Sequence, residues 1–139
     1  MALSPALEQG EELSGACVAS QVGLFRGRQV AIGVTPARLL VQPVSRKFEP
    51  AGEAISLPPA RIAAARAEGA GGGWPQLGAA IMDGAAVTLK LRTVEGGKLK
   101  LMMMKGVGPL ARAGGGEDQR QGVEALAQWF AARAISTAL

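Results

Sequence analysis

The stretch Ile32-Gly33-Val34-Thr35-Pro36-Ala37-Arg38-Leu39-Leu40-Val41 decides the fold. Val30, Ile32 and Val34 alternate with small residues, and Leu39 and Val41 resume the alternation after Thr35-Pro36-Ala37-Arg38, which is the period of half-buried strands. A four-residue turn then sets Val34 opposite Leu39 and Ile32 opposite Val41, so all four share one face, as a hairpin with a single buried side requires. Pro36 fixes φ for a type I or II turn and not for the primed turns that suit two-residue hairpins, so local adjustment is expected there.

A second hairpin is read further on, where Val87, Leu89 and Leu91 alternate with Thr88, Lys90 and Arg92 before Glu95-Gly96-Gly97 and Lys98-Leu99-Lys100-Leu101. A three-residue turn with Gly97 left-handed predicts Leu91 opposite Leu101, and Arg92 opposite Lys100 on the other face. Ala16 to Val22 and Ala54 to Leu57 read as further strands, the latter ended by Pro58-Pro59, neither of which can donate to a ladder. Arg61 to Glu68 is compatible with helix or strand, and the surrounding short segments favour strand. Ser4-Pro5 to Glu12 is a lead-in with room for one helical turn. Gly69 to Gly73, Trp74 and Pro75 read as a flexible connection, Asp83-Gly84 as a turn, and Lys105 to Gly116 as a glycine-rich loop.

From about 119 to 138, Val123, Leu126, Ala127, Phe130 and Ala134 recur at spacings of three and four, one apolar stripe widened by Trp129. Glu117 and Asp118 suit the start of this helix. The chain thus reads as mainly β, with strands from about 16 to 104 and one C-terminal helix. With 139 residues, 48% hydrophobic and 19% charged, it has material for a single core and is expected to be one domain over 1–139.

No apolar run reaches the ~18 residues that span a bilayer, and Met1 to Glu12 lacks a basic start with an apolar segment, so a cytoplasmic protein is expected. Abundant Ala, Arg and Gly look like a GC-rich bacterial coding bias. Cys17, the one cysteine, sits in strand-like flanks and reads as a small buried hydrophobe, with no disulfide available.

Chemistry near neutral pH usually needs a group that titrates there, and the chain has no His, Tyr or Asn. That removes triads and leaves no nitrogen and sulfur set for zinc. Gly69-Ala70-Gly71-Gly72-Gly73-Trp74 breaks the dinucleotide fingerprint, because Trp74 stands where its third glycine belongs. Asp83, Glu117 and Asp118 lack the spacing of a calcium loop, and turn or helix-start roles explain them. No cofactor or metal is implied, and a binding or assembly module is expected in place of an enzyme. Catalysis by Glu, Lys or Cys17 alone is the remote alternative.

The order of about seven short strands and a tryptophan-bearing amphipathic helix resembles the bacterial pleckstrin-homology-like (PH-like and GRAM-like) domains. The resemblance rests on Ile32 to Val41, similar to that family's strand, threonine turn, arginine-leucine, strand segment, and on Trp129, which matches the helix tryptophan packed on the barrel. It departs at Gly69 to Asp83, which is longer and richer in glycine than a hairpin connection. What it implies is a barrel of two near-orthogonal sheets with the helix plugging one end, and Trp129, Phe130, Leu126, Val34 and Leu39 as structural residues. It also implies that Arg26, Arg28, Arg46 and Lys47 stand where family members hold headgroup phosphates, and that homo-oligomers form through sheet edges.

The net charge of +4 and pI near 9.8 permit an anionic partner without requiring one. Lys90, Arg92, Lys98 and Lys100 gather on one outward face of the second hairpin. Met102-Met103-Met104 follows, of which Met102 and Met104 are taken as adaptable apolar contacts beside that face. A protein partner or a second copy is the leading expectation, and an anionic membrane surface the runner-up. Nucleic acid is disfavoured, since aromatic residues are 4% of the chain and no helix has a basic groove-reading face.

Overall fold

The quoted stretch forms the hairpin its alternation demands, with Val34 opposite Leu39 and Ile32 opposite Val41. The computed structural model describes residues 3–22, 28–47, 49–69, 74, 77–82, 86–104, 117–133 and 135–138. Its strands are β1 (Gly15–Gln21), β2 (Arg28–Val34), β3 (Leu39–Pro43), β4 (Ile55–Leu57), β5 (Ile62–Glu68), β6 (Val87–Thr93) and β7 (Lys98–Met103). They join in one antiparallel sheet in the order β4-β3-β2-β1-β7-β6-β5, curled into a half-barrel. The ambiguous Arg61 to Glu68 stretch is therefore strand from Ile62 onward, paired with β6 through Ala65↔Leu91 and Ala67↔Leu89, while Arg61 ends a short 3-10 turn.

The turn between β2 and β3 is adjusted by Thr35. Its hydroxyl oxygen accepts from the backbone N–H of Ala37 and of Arg38, each at 3.1 Å, so the side chain supplies the bonds that a primed turn would have made itself. The same hydroxyl donates to Glu11 Oε2 at 3.1 Å. Arg38 then grips both oxygens of Glu11, at 2.6 and 3.0 Å, and also reaches the Ala6 carbonyl and the Ser56 hydroxyl. This network binds the lead-in segment to β3 and β4.

The single-sided burial expected of this hairpin is not what forms. β3 is buried at every position, because Leu3, Ala31, Leu40 and Val44 make a second apolar cluster on the convex face, joined by Ala6, Leu7, Leu13 and Ala16. The lead-in contains a short 3-10 turn at Ser4–Ala6 and covers that face. At Gly33 a Cβ would lie 2.7 Å from a Leu13 methyl and 2.8 Å from a Leu3 methyl, so the glycine lets both leucines press directly on the strand.

The second hairpin has its predicted faces but not its predicted register. Leu91 pairs with Leu99 and Arg92 with Lys98, while Leu101 faces Leu89 and Lys100 faces Lys90. The left-handed residue is Gly96, φ 94°, and not Gly97, whose N–H donates to Thr93 Oγ1 at 2.9 Å. The turn is thus Val94-Glu95-Gly96, closed by Thr93 N–H to the Gly97 carbonyl at 2.8 Å. Moving the turn by one residue slides the pairing by two, and a slide of two preserves which side chains point inward.

Two further expectations change. Between the connection read at 69–75 and the turn read at Asp83-Gly84, Leu77–Met82 is a short helix, α1, in which Leu77 and Ile81, four apart, both bury completely. Asp83-Gly84 lies outside the described residues. The C-terminal helix, α2, runs Glu117–Ala132 and not to 138. Residues 135–138 have no regular secondary structure, and Ala134, the last member of the predicted stripe, is outside the described residues.

α2 crosses β1 at backbone distance. A Cβ at Gly122 would overlap the Ala16 carbonyl, and one at Gly15 would overlap the Ala125 side chain. At one end the Gln119 amide accepts from Val18 N–H at 3.0 Å and donates to Val18 C=O at 2.7 Å. At the other, Trp129 Nε1 donates to the Thr35 carbonyl at 2.7 Å, and Arg133 lies 4.4 Å over the indole while donating to the Pro36 carbonyl. Phe130 is sandwiched by Trp74, parallel at 4.8 Å, and Trp129, edge-on at 5.1 Å. Val34, Leu39 and Leu126 complete this core.

Gly122→Ala is expected to destabilise the fold by about 1–3 kcal/mol through overpacking. This should outweigh the ~1 kcal/mol that alanine gains in a helix, and urea unfolding measures the balance. Glu11 supplies a pH signature. Its hydrogen bonds to the Arg38 guanidinium, with Thr35, hold its carboxyl at about 2, against an ordinary 4.5. A depressed folded pKa contributes stability that is complete above about 4.5 and lost as pH falls toward about 2. Glu11→Gln should flatten the acid limb of the stability curve over that window.

Candidate functional site

β6 and β7 alternate between buried and outward side chains, β5 does so from Ala65 onward after a bulge between Ile62 and Ala64, and the alternation sorts charge. Val87, Leu89, Leu91, Leu101 and Met103 point into the core, so Arg66, Lys90, Arg92, Lys98 and Lys100 emerge together on the outer face. Register places Arg66 beside Lys90 and Lys90 beside Lys100, a row of three cations across three strands. Strands sit ~4.8 Å apart, so these are nearest neighbours. Arg92 faces Lys98 in the next row.

The one carboxylate on these strands is Glu68. It accepts from Lys90 Nζ at 3.0 Å and from Arg66 at 2.8 Å, and these two cations, Lys90 first, hold its carboxyl below the ordinary range. Lys98 and Lys100 are exposed with no carboxylate opposite. Along one border the face turns apolar. Met102 is half-buried between Thr88 and Ser20, Met104 is 37% exposed, and Val22, bonded through its N–H to the Lys100 carbonyl, is 40% exposed. Met103, between the two outward methionines, is fully buried.

The other basic group gathers at the far end of β1 and β2. Arg28 is opposite Gln21 and donates from Nε to its Oε1 at 2.8 Å. Arg46 and Lys47 are exposed in a turn organised by the Ser45 hydroxyl, and Val44 N–H to the Gln29 carbonyl holds that turn beside the start of β2. Arg28, Arg46 and Lys47 are therefore brought to one end of the sheet. Arg26 lies outside the described residues.

Three described groups with the chemistry for covalent or proton-transfer steps are engaged in the structure. Burial pushes the Cys17 thiol up to about 12, and its Sγ lies 4.0 Å from Met103 Sδ inside the core. Glu11 borders a groove of about 370 Å³ with Thr35 and Pro36, but its oxygens are occupied by Arg38 and Thr35. A second groove of about 310 Å³, between Trp74 and the Glu124, Ala127, Gln128 and Ala131 face of α2, has Glu124 as the one titratable group among its described lining residues, paired with Arg120 at 2.6 Å. Among the described residues, no three of Cys, Asp and Glu cluster as metal ligands do, and no helix is long and apolar enough to cross a membrane.

Seven antiparallel strands in a half-barrel with a C-terminal helix fit a PH-like fold. Among solved structures, the hSac2 domain from the human phosphoinositide phosphatase Sac2 is similar over 97% of this chain and 78% of its own, with a TM-score of 0.53 at 11% identity. The C-terminal domain of an unknown protein from Leishmania infantum matches 68% of this chain and 72% of its own, with a TM-score of 0.48 at 15% identity. No protein-family model matches the sequence, and no curated protein does.

Like charges set directly opposite across a sheet cost stability. Lys100→Glu, which places a carboxylate opposite Lys90, is therefore expected to stabilise the fold by about 0.2–1 kcal/mol at low ionic strength. Raising salt to ~1 M should erase the gain, because it shortens the Debye length to ~3 Å. Thermal unfolding at two salt concentrations reads both effects.

Proposed function

We propose that this chain is a non-catalytic PH-like module that binds an acidic segment of a protein partner through the outer face of β5–β7. The observation that carries the reading is the row Arg66, Lys90, Lys100 with Arg92 and Lys98 beside it, balanced on these three strands by Glu68 alone. A merely solvated face has no reason to keep lysines opposite each other at a cost, whereas an acidic partner removes that repulsion and gains from it. Met102, Met104 and Val22 give the face an apolar border, which adds contact area that needs no exact fit. The absence of His, the buried neutral thiol and the fully engaged Glu11 support a binding role over a catalytic one.

A second reading is contact with anionic lipid headgroups through Arg28, Arg46 and Lys47. It is favoured by their convergence at one end of the sheet, and by the similarity to a domain of a phosphoinositide phosphatase. Arginine suits phosphate through its planar fork.

The two readings separate cleanly. A labelled oligoglutamate peptide should bind the chain, and Lys98→Glu with Lys100→Glu should weaken that binding by roughly tenfold or more, about 1.4 kcal/mol. Fluorescence anisotropy reads the change, and unaltered affinity would sink the leading reading. Salt-sensitive sedimentation with phosphatidylserine vesicles, lost in Arg28→Ala with Arg46→Ala and Lys47→Ala but kept in the lysine variants, would establish the second reading in its place.

A further inference from the structure

The two edges of the sheet are finished in different ways. β4 is three residues long, is followed by Pro58 and Pro59, and has its Ser56 carbonyl covered by Arg61 Nη1 at 3.4 Å. These are devices that keep another strand away. β5 is seven residues long and carries no proline. Its edge is closed by the chain itself. Ala65 N–H, pointing away from β6, donates to the Ser136 carbonyl at 2.8 Å.

The segment that closes it is weakly held. Residues 135–138 have no regular secondary structure, and Ser136, Thr137 and Ala138 are exposed. Ile135 packs partly against the core, and Arg92 Nη2 lies 3.5 Å from the Ala138 carbonyl, the long end of a hydrogen bond. One strand-type bond, one half-buried apolar side chain and one long contact to an arginine hold these residues. On the strand side, Ala63, Ala65 and Ala67 offer an edge without bulky side chains, which lets a second backbone approach.

The geometry points to the β5 edge as a strand-addition site for an extended peptide of a protein partner, a site that residues 135–138 occupy in its absence. The bound tail shows what the site takes. It accepts a β-branched apolar residue in the place of Ile135, a backbone carbonyl for Ala65 N–H, and an acceptor, carbonyl or carboxylate, for Arg92. Main-chain bonds give affinity in such a complex and the flanking side chains give selectivity. The inference rests on the reading of the chain as a protein-binding module, but not on the cationic row of β5–β7. Displacing the tail frees Arg92 for the incoming segment, so edge and outer face are contiguous.

The test uses the full chain and its Ile135→Asp variant, which loses the tail's apolar anchor. The probe is a fluorescent peptide of the sequence found at 133–138, Arg-Ala-Ile-Ser-Thr-Ala. The variant should bind it at least about tenfold more tightly than the unaltered chain, where the tethered tail keeps the site filled. The Ala65 amide, followed by hydrogen exchange, should lose protection in the variant and regain it with peptide. A variant that folds, by circular dichroism, but binds no tighter than the unaltered chain overturns the proposal.

Exchange in the unaltered chain decides the matter independently of that variant's folding. Ala65 should exchange at least about a hundredfold faster than Arg66 and Glu68, whose amides face β6 by alternation. Equal protection would make the tail a fixed part of the sheet and end the proposal. Oligoglutamate binding that survives in Ile135→Asp while the tail peptide fails to bind would remove the edge site alone.

Discussion

The close approach of α2 to β1 is the constraint on which the rest of the structure depends. Gly122 and Gly15 let the helix backbone rest on the strand, and neither tolerates a Cβ without pushing the two apart. At that separation Gln119 reaches Val18 and makes both of its backbone bonds, so the helix acts as a one-residue strand beside β1. It has to, because β1 pairs with β7 only through Ser20↔Met102 and Gln21↔Leu101 before the strands part. A buried backbone group left unpaired there would cost about 1–3 kcal/mol. Trp129 fixes the other end by bonding to the Thr35 carbonyl, which ties the helix to the turn that Thr35 and Arg38 organise. Helix position, strand divergence and turn geometry are thus one arrangement.

That arrangement also decides which outer surface is left open. The inner face of the half-barrel is filled by the core and by α2. The convex face of β2 and β3 is covered by the lead-in segment, whose Leu3 and Leu13 press on Gly33 and whose Glu11 is clamped by Arg38. What remains is the convex face of β5, β6 and β7, and there the sequence places cations. Charge is therefore concentrated on the half of the sheet that the lead-in segment leaves open.

The fold was largely legible because its decisive signals were periodic. Val30 to Val41 and Val87 to Leu101 state strand faces directly, and the cationic face of the second hairpin was found despite a wrong register, since the error was an even number of residues. Adjacent glycines at 96 and 97 made the turn ambiguous, and only the Thr93 hydroxyl, bonded to Gly97, selects between them. Gln119 and Gly122 were illegible for a different reason. In a helical pattern one reads as polar surface and the other as a weak helix former, and their meaning lies in a strand a hundred residues away. The lead-in cover was missed because Leu3, Leu7 and Leu13 follow no period. Ile135 to Ala138 continued the composition of the helix while their hydrogen bond lies with β5.

The charge on the open face and the weakly held tail have a common member in Arg92. The residue lies on the outer face of β6, opposite Lys98, and its guanidinium leans toward the Ala138 carbonyl. A carbonyl is a poor partner for a guanidinium beside other cations, since it offsets none of their mutual repulsion, whereas a carboxylate in the same place would offset it and bond more strongly. The tail therefore satisfies one backbone group of the sheet edge but not its electrostatics. An incoming chain that brings both an extended backbone and negative charge answers both at once, and has an advantage over the tail that grows as ionic strength falls.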